Sequence, residues 1–122
     1  MAKTILIVDD SASFRQVVGM SLSQAGYEVL QASDGKEALG LLDGRKIHLI
    51  VSDLNMPVMD GLAFVHAAKE VAPYRFTPVI MLTTVTSDEK KAQAKAEGVR
   101  AWVSKPFQPP VLLEAIAKLA SA

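Results

Sequence analysis

Five short runs of β-branched and aliphatic residues punctuate the chain: Thr4 to Val8, Glu28 to Ala32, His48 to Ser52, Val79 to Thr83 and Ala101 to Ser104. Each reads as a strand. Ile5-Leu6-Ile7-Val8, Leu49-Ile50-Val51 and Val79-Ile80-Met81-Leu82 are continuously apolar rather than alternating, the signature of parallel strands covered on both faces. Between the strands the period changes to that of a helix. Phe14, Val17, Val18, Ser21, Leu22 and Ala25 fall on one helical stripe, with Ser11 or Ser13 as its cap and Gly26 as its stop.

A second helix is predicted from after Asp34-Gly35 to near Gly44, and a third from about Leu62 to Ala72, where Pro73 ends it. Ser87 or Asp88 caps a fourth that stops at Gly98. A fifth starts at Pro109-Pro110 and buries Leu112, Ile116 and Leu119. Strictly alternating strands and helices imply an α/β fold with right-handed crossovers. Five strands are too few for a closed (β/α) barrel, so an open sheet is expected. At 122 residues the chain has the size of one domain, 1–122, with no repeat, linker or low-complexity segment.

Composition narrows the function classes. Thirteen basic and thirteen acidic side chains cancel, so no global field draws in nucleic acid or a membrane surface. Cysteine is absent, which removes disulfides, thiolate metal sites and cysteine nucleophiles. Met1-Ala2-Lys3-Thr4 runs into an apolar segment too short for a signal sequence or a membrane span. A cytoplasmic protein is expected.

In open α/β sheets the reactive crevice lies beyond the carboxyl ends of the strands. The first strand ends in Asp9-Asp10, the third in Asp53, the fourth in Thr83 and the fifth in Lys105. These groups should meet at one edge. Three crowded carboxylates repel unless a cation neutralises them, and an all-oxygen donor set favours Mg²⁺. An incoming phosphoryl group would then share its charge with the metal, the Lys105 ammonium and the Thr83 hydroxyl, a set suited to phosphoryl transfer.

Asp9-Asp10, Asp53 with Met56-Pro57-Val58-Met59-Asp60-Gly61, Thr83 and Lys105-Pro106-Phe107 together resemble the receiver domains of two-component response regulators, of the CheY-like type. The resemblance spans nearly the whole chain. It implies a doubly wound, flavodoxin-like parallel sheet in the order 2-1-3-4-5 with helices on both faces, the order for which CheY is itself a standard example. It also implies that Asp53 accepts a phosphoryl group from a histidine kinase. By the same resemblance Asp10, Asp53 and the backbone carbonyl of Asn55 ligate Mg²⁺, and Asp9 orients a metal-bound water. Lys105 and Thr83 contact the phosphoryl oxygens, Trp102 stands at the aromatic switch position, and the Lys105–Pro106 bond is cis.

Thr84 departs from the small residue common at its position, and Val85 offers no side chain to hold a hydrolytic water. Slow intrinsic dephosphorylation is the expectation. His48 and His66 have no partner at catalytic or metal spacing, and Met56, Met59 and Met81 read as packing residues.

Three other functions fit less well. An aspartate-nucleophile phosphatase wants a second aspartate where Asn55 stands, and a nucleotide-binding module wants a Gly- or Ser/Thr-rich cradle where Asp9-Asp10 stand. A degenerate scaffold receiver would have lost acids or the lysine that are present here. As the chain stops just after the fifth helix, at Ser121-Ala122, no output domain is expected. A monomeric phosphoacceptor switch rather than an enzyme is predicted, signalling by protein binding through the fourth helix, fifth strand and fifth helix. The expected target is a flagellar motor switch; the runner-up is a phosphorelay intermediate that serves a histidine phosphotransfer domain.

Overall fold

The computed structural model describes residues 2–120; Ser121 and Ala122 lie outside them. Five parallel strands, β1 (Thr4–Val8), β2 (Glu28–Ala32), β3 (Leu49–Ser52), β4 (Val79–Thr83) and β5 (Val99–Ser104), alternate with five α-helices. The helices are α1 (Ala12–Gln24), α2 (Gly35–Leu41), α3 (Gly61–Lys69), α4 (Asp88–Ala96) and α5 (Pro109–Leu119). The sheet order is β2-β1-β3-β4-β5, as expected for the doubly wound fold.

The apolar runs read as doubly covered strands because they are. Ile5, Ile7, Leu49, Val51, Ile80 and Leu82 face the layer made by Val18 and Leu22 of α1 and Leu112 and Ile116 of α5. Leu6, Val8, Ile50, Val79 and Met81 face Ala38, Phe64, Val65, Ala68 and Ala94 of α2, α3 and α4. Successive strand residues therefore feed two separate cores, and neither can tolerate a polar side chain.

Several boundaries differ from the sequence reading, each for a local reason. β5 begins at Val99 rather than Ala101, behind an irregular register between Val79 and Ile80. The exposed Arg100 masks that start in the pattern. β3 begins at Leu49, although His48 already pairs with β1: its N–H donates to Thr4 O (2.8 Å) and its Nδ1 accepts from Thr4 N (2.9 Å).

α2 ends at Leu41, short of Gly44, and α3 ends at Lys69, short of Ala72. Pro73 sits inside a 3₁₀ turn (Ala72–Tyr74), which buries Tyr74 and aims its hydroxyl at the Arg45 carbonyl (2.7 Å). In α1 the cap is Ser11, whose hydroxyl accepts from Phe14 N (3.2 Å). Val17, placed on the buried stripe by its spacing, is instead 53% exposed; Arg15 and Gly19, two residues to either side of it, are the ones that face β2. The predicted stops Gly26 and Gly98 both adopt φ +97°, a left-handed conformation that glycine takes without a side-chain clash.

Candidate functional site

Parallel pairing brings the residues just beyond each strand to one edge. Val8 is in register with Ser52, so Asp9 and Asp53 leave neighbouring strands side by side, and Asp53 N donates to Val8 O (2.9 Å). One oxygen from each of Asp9, Asp10 and Asp53 lies within 4.8 Å of the others. Asp9 is 2% exposed and Asp53 9%, whereas Asp10 faces solvent. From β5, Lys105 is positioned by its N–H donating to Thr83 O (2.9 Å). Its Nζ reaches Asp9 Oδ2 at 3.0 Å and Asp53 Oδ2 at 3.2 Å. The Lys105–Pro106 peptide is cis.

The Lys105 ammonium is thus the internal counter-ion of two buried acids. Burial pushes its pKa down, but the hydrogen bond to Asp9 and the negative charges of Asp53 and Asp9 outweigh that and hold it above the ordinary lysine value. Removing either kind of partner would leave a poorly solvated charge. Backbone donors fix the carboxylates further: Ser11 N donates to Asp9 Oδ1 (2.9 Å) and Leu54 N to Asp53 Oδ1 (2.7 Å).

Thr83 is buried at the end of β4, and its hydroxyl accepts from Val85 N (3.3 Å). Asn55 lies exposed in the β3–α3 loop, two residues beyond Asp53. Trp102 is not in the carboxylate cluster. It stands on β5 opposite Met81, half-buried against the α2–α3–α4 core. Lys91 Nζ is 5.8 Å from its ring centroid, and its Nε1 is buried with no hydrogen-bond partner among the described residues.

Four contributors were not legible beforehand. Phe14, predicted only as core, lies with its ring centroid 4.2 Å from Lys105 Nζ and meets Phe107 edge-on at 6.0 Å, so a cation–π contact helps hold the ammonium. Arg15 bonds the Asp9 carbonyl. Asp60 caps α3 by accepting from Ala63 N (2.8 Å). Gly61 lets that helix start against the end of β3, because a Cβ there would lie 2.2 Å from Asp53 O. The sequence marks Asp60-Gly61 as part of a motif; only the packing shows that its work is structural.

His66, with no partner at catalytic or metal spacing in the sequence, is exposed and pairs with two glutamates. Its Nδ1 lies 2.8 Å from Glu97 Oε2 and its Nε2 3.0 Å from Glu70 Oε1. Glu97 is 31 residues away in sequence, so this link between α3 and the end of α4 was invisible to local spacing.

The donor set fits a hard divalent cation: three carboxylates close together, with neither sulfur nor imidazole among them. Among the described residues no helix is long and apolar enough to cross a membrane.

Comparison with known proteins agrees with this geometry. The response regulator receiver domain family model matches residues 5–117. Chemotaxis protein CheY1 of Helicobacter pylori is 38% identical over 112 residues, covering 90% of each chain. A chemotaxis protein CheY homolog of Campylobacter jejuni is 36% identical, covering 90% of this chain and 86% of its own. The structure of Vibrio cholerae chemotaxis protein CheY4 superposes with a TM-score of 0.93 at 47% identity, covering 98% of this chain and 99% of its own.

Proposed function

The chain belongs to the response regulator receiver domain family, and from that premise we propose that Asp53 is its phosphoacceptor and that protein binding, in chemotaxis, is its output. The observation that carries the reading is the Lys105 ammonium held between Asp9 and Asp53, with Asp10 alongside, at the carboxyl edge of the sheet. That arrangement concentrates negative charge yet keeps a fixed cation where a transferred phosphoryl group would need it.

A carboxylate oxygen of Asp53 attacks the phosphorus of a phosphohistidine on a histidine kinase. The P–N bond breaks, the imidazole leaves, and Asp53 carries an acyl phosphate until water cleaves it. Asp10, Asp53 and the Asn55 carbonyl would hold Mg²⁺, with Asp9 acting through a bound water, and the ion supplies positive charge that offsets the phosphoryl oxygens. Lys105 turns from bridging two acids to meeting a phosphoryl oxygen as a point charge.

The Thr83 hydroxyl leaves Val85 N for another phosphoryl oxygen, which frees space beneath Trp102 for the ring to turn inward. That movement alters the surface of α4, β5 and α5, where a downstream protein docks. Phosphorylation thereby biases an equilibrium between two surfaces. The chain is a cytoplasmic, monomeric phosphoacceptor switch rather than an enzyme. Val85 has no polar side chain to position water, so the acyl phosphate is long-lived. The chemotaxis names of its relatives favour a motor-switch target over a phosphorelay intermediate.

Adding acetyl phosphate with Mg²⁺ is expected to change Trp102 fluorescence, and Asp53→Asn is expected to abolish the response. An equal response from that variant would remove Asp53 from the role.

A further inference from the structure

At the opposite, amino-terminal edge of the sheet, Phe76 is 85% exposed. It stands beside a cleft of about 300 Å³ whose wall includes Lys69, Arg75, Glu97 and Arg100. No described acid forms an ion pair with Arg75, Arg100 or Lys69. Glu97, the one carboxylate in the wall, is bonded to His66 instead (2.8 Å). Lys69 Nζ is tied to Thr77 O (2.6 Å), and burial together with the nearby Arg100 charge holds its pKa below the ordinary lysine value.

On the other flank of Phe76 a second cleft, about 390 Å³, is bordered by Lys46 and by Arg45, the latter already paired with Asp43 (2.7 Å). A chain whose formal charges cancel overall therefore carries a cationic pole around an exposed aromatic ring, far from its acidic pole at Asp9, Asp10 and Asp53.

We propose that Phe76, Arg75, Arg100 and Lys69 form a second protein-docking surface, which takes an acidic segment of a partner protein carrying an apolar side chain. Aromatic and arginine side chains are the residues that most often anchor protein interfaces. Charge complementarity fixes the sign of the occupant, because an anionic segment neutralises guanidinium groups that no described acid pairs. An apolar residue of that segment covers the Phe76 ring. The surface lies across the sheet from Asp53, so docking neither needs nor blocks phosphorylation. A partner held here would stay tethered while the α4–β5–α5 face changes state. This inference does not rest on the phosphoacceptor reading.

Short random peptides displayed on phage would be selected on the full chain and counter-selected on the R75E/R100E variant, and the survivors measured by fluorescence anisotropy. Enrichment of acidic peptides with an apolar residue is expected, with affinity falling about tenfold or more in R75E/R100E and as salt rises. F76A should weaken the same peptides. Both variants should keep the wild-type melting temperature and the response to acetyl phosphate, since none of these residues touches the acidic site. The proposal is overturned if no peptide is enriched, if the enriched peptides are neutral or basic, or if both variants bind them as wild type does. Cosedimentation with phosphatidylglycerol vesicles that needs these residues, without acidic-peptide enrichment, would assign the surface to lipid and equally overturn it.

Discussion

Val58 has φ +70°, positive for a residue other than glycine, and Met59 N bonds Pro57 O at 2.7 Å across it, which closes a three-residue γ-turn. A β-branched side chain is ill suited to that conformation. The side chain is 77% exposed, so it loses little packing if exchanged. Val58→Asn should therefore raise stability by about 1 kcal/mol, read as a higher urea midpoint with an unchanged slope. Three residues on, the constraint reverses. A Cβ at Gly61 would meet Asp53 O at 2.2 Å and Leu54 Cα at 2.9 Å, both backbone atoms with nowhere to go. Gly61→Ala should cost about 3 kcal/mol and slow acetyl-phosphate labelling, because the atoms pushed aside belong to Asp53, the proposed acceptor, and its neighbour Leu54. Wild-type stability and labelling in Gly61→Ala would show that α3 can shift freely. The sequence motif flags both positions but not their opposite signs, since a valine says nothing of positive φ and a glycine does not reveal what it lies against.

At the scale of elements, legibility follows how far apart in sequence the interacting parts lie. The continuous runs of β1, β3 and β4 were readable because both faces of each strand are apolar, and the caps Ser11 and Ser87 because capping is local. The start of β5 was not, because it depends on a register irregularity against β4. The α3–α4 link is the clearest case of a distant partner. His66 approaches a carboxylate with each ring nitrogen, and a neutral ring has only one N–H, so both bonds are donated only by the imidazolium. The bond to Glu97, then the charges of Glu97 and Glu70, raise its pKa above the ordinary 6.5. Since the folded value is the higher one, the stabilisation is fully present below pH 6.5 and fades as pH rises through the folded value. Melting curves of wild type and His66→Gln should differ on the acid side of that range and converge above it, and salt should shrink the gap because the groups are exposed. A gap that persists unchanged at alkaline pH would mean that packing, not charge, joins the two helices.

For the whole molecule, the carboxyl edge of the sheet concentrates acids that repel one another, and Lys105 offsets only part of that charge through Asp9 and Asp53. Asp10 reaches into the same cluster from a solvent-exposed position, without a cation of its own among the described residues. The fold therefore holds electrostatic stress, which a divalent ion would relieve by binding the folded chain and not the unfolded one. Binding of that kind stabilises by mass action, about 2.7 kcal/mol when the ion is at a hundredfold excess over its dissociation constant. Thermal unfolding followed by circular dichroism should give a Tm that rises from EDTA to saturating Mg²⁺. Asp10→Asn should start from a higher Tm in EDTA, because one repelling charge is gone, and should respond less to Mg²⁺ for the same reason. Lys105→Ala should behave in the opposite way: a lower Tm in EDTA, where two buried carboxylates lose their counter-ion, and a larger rise with Mg²⁺. This opposition separates a true ion site from a general salt effect, which would move all three proteins alike. Equal shifts in wild type, Asp10→Asn and Lys105→Ala would mean that the acidic edge repels without binding.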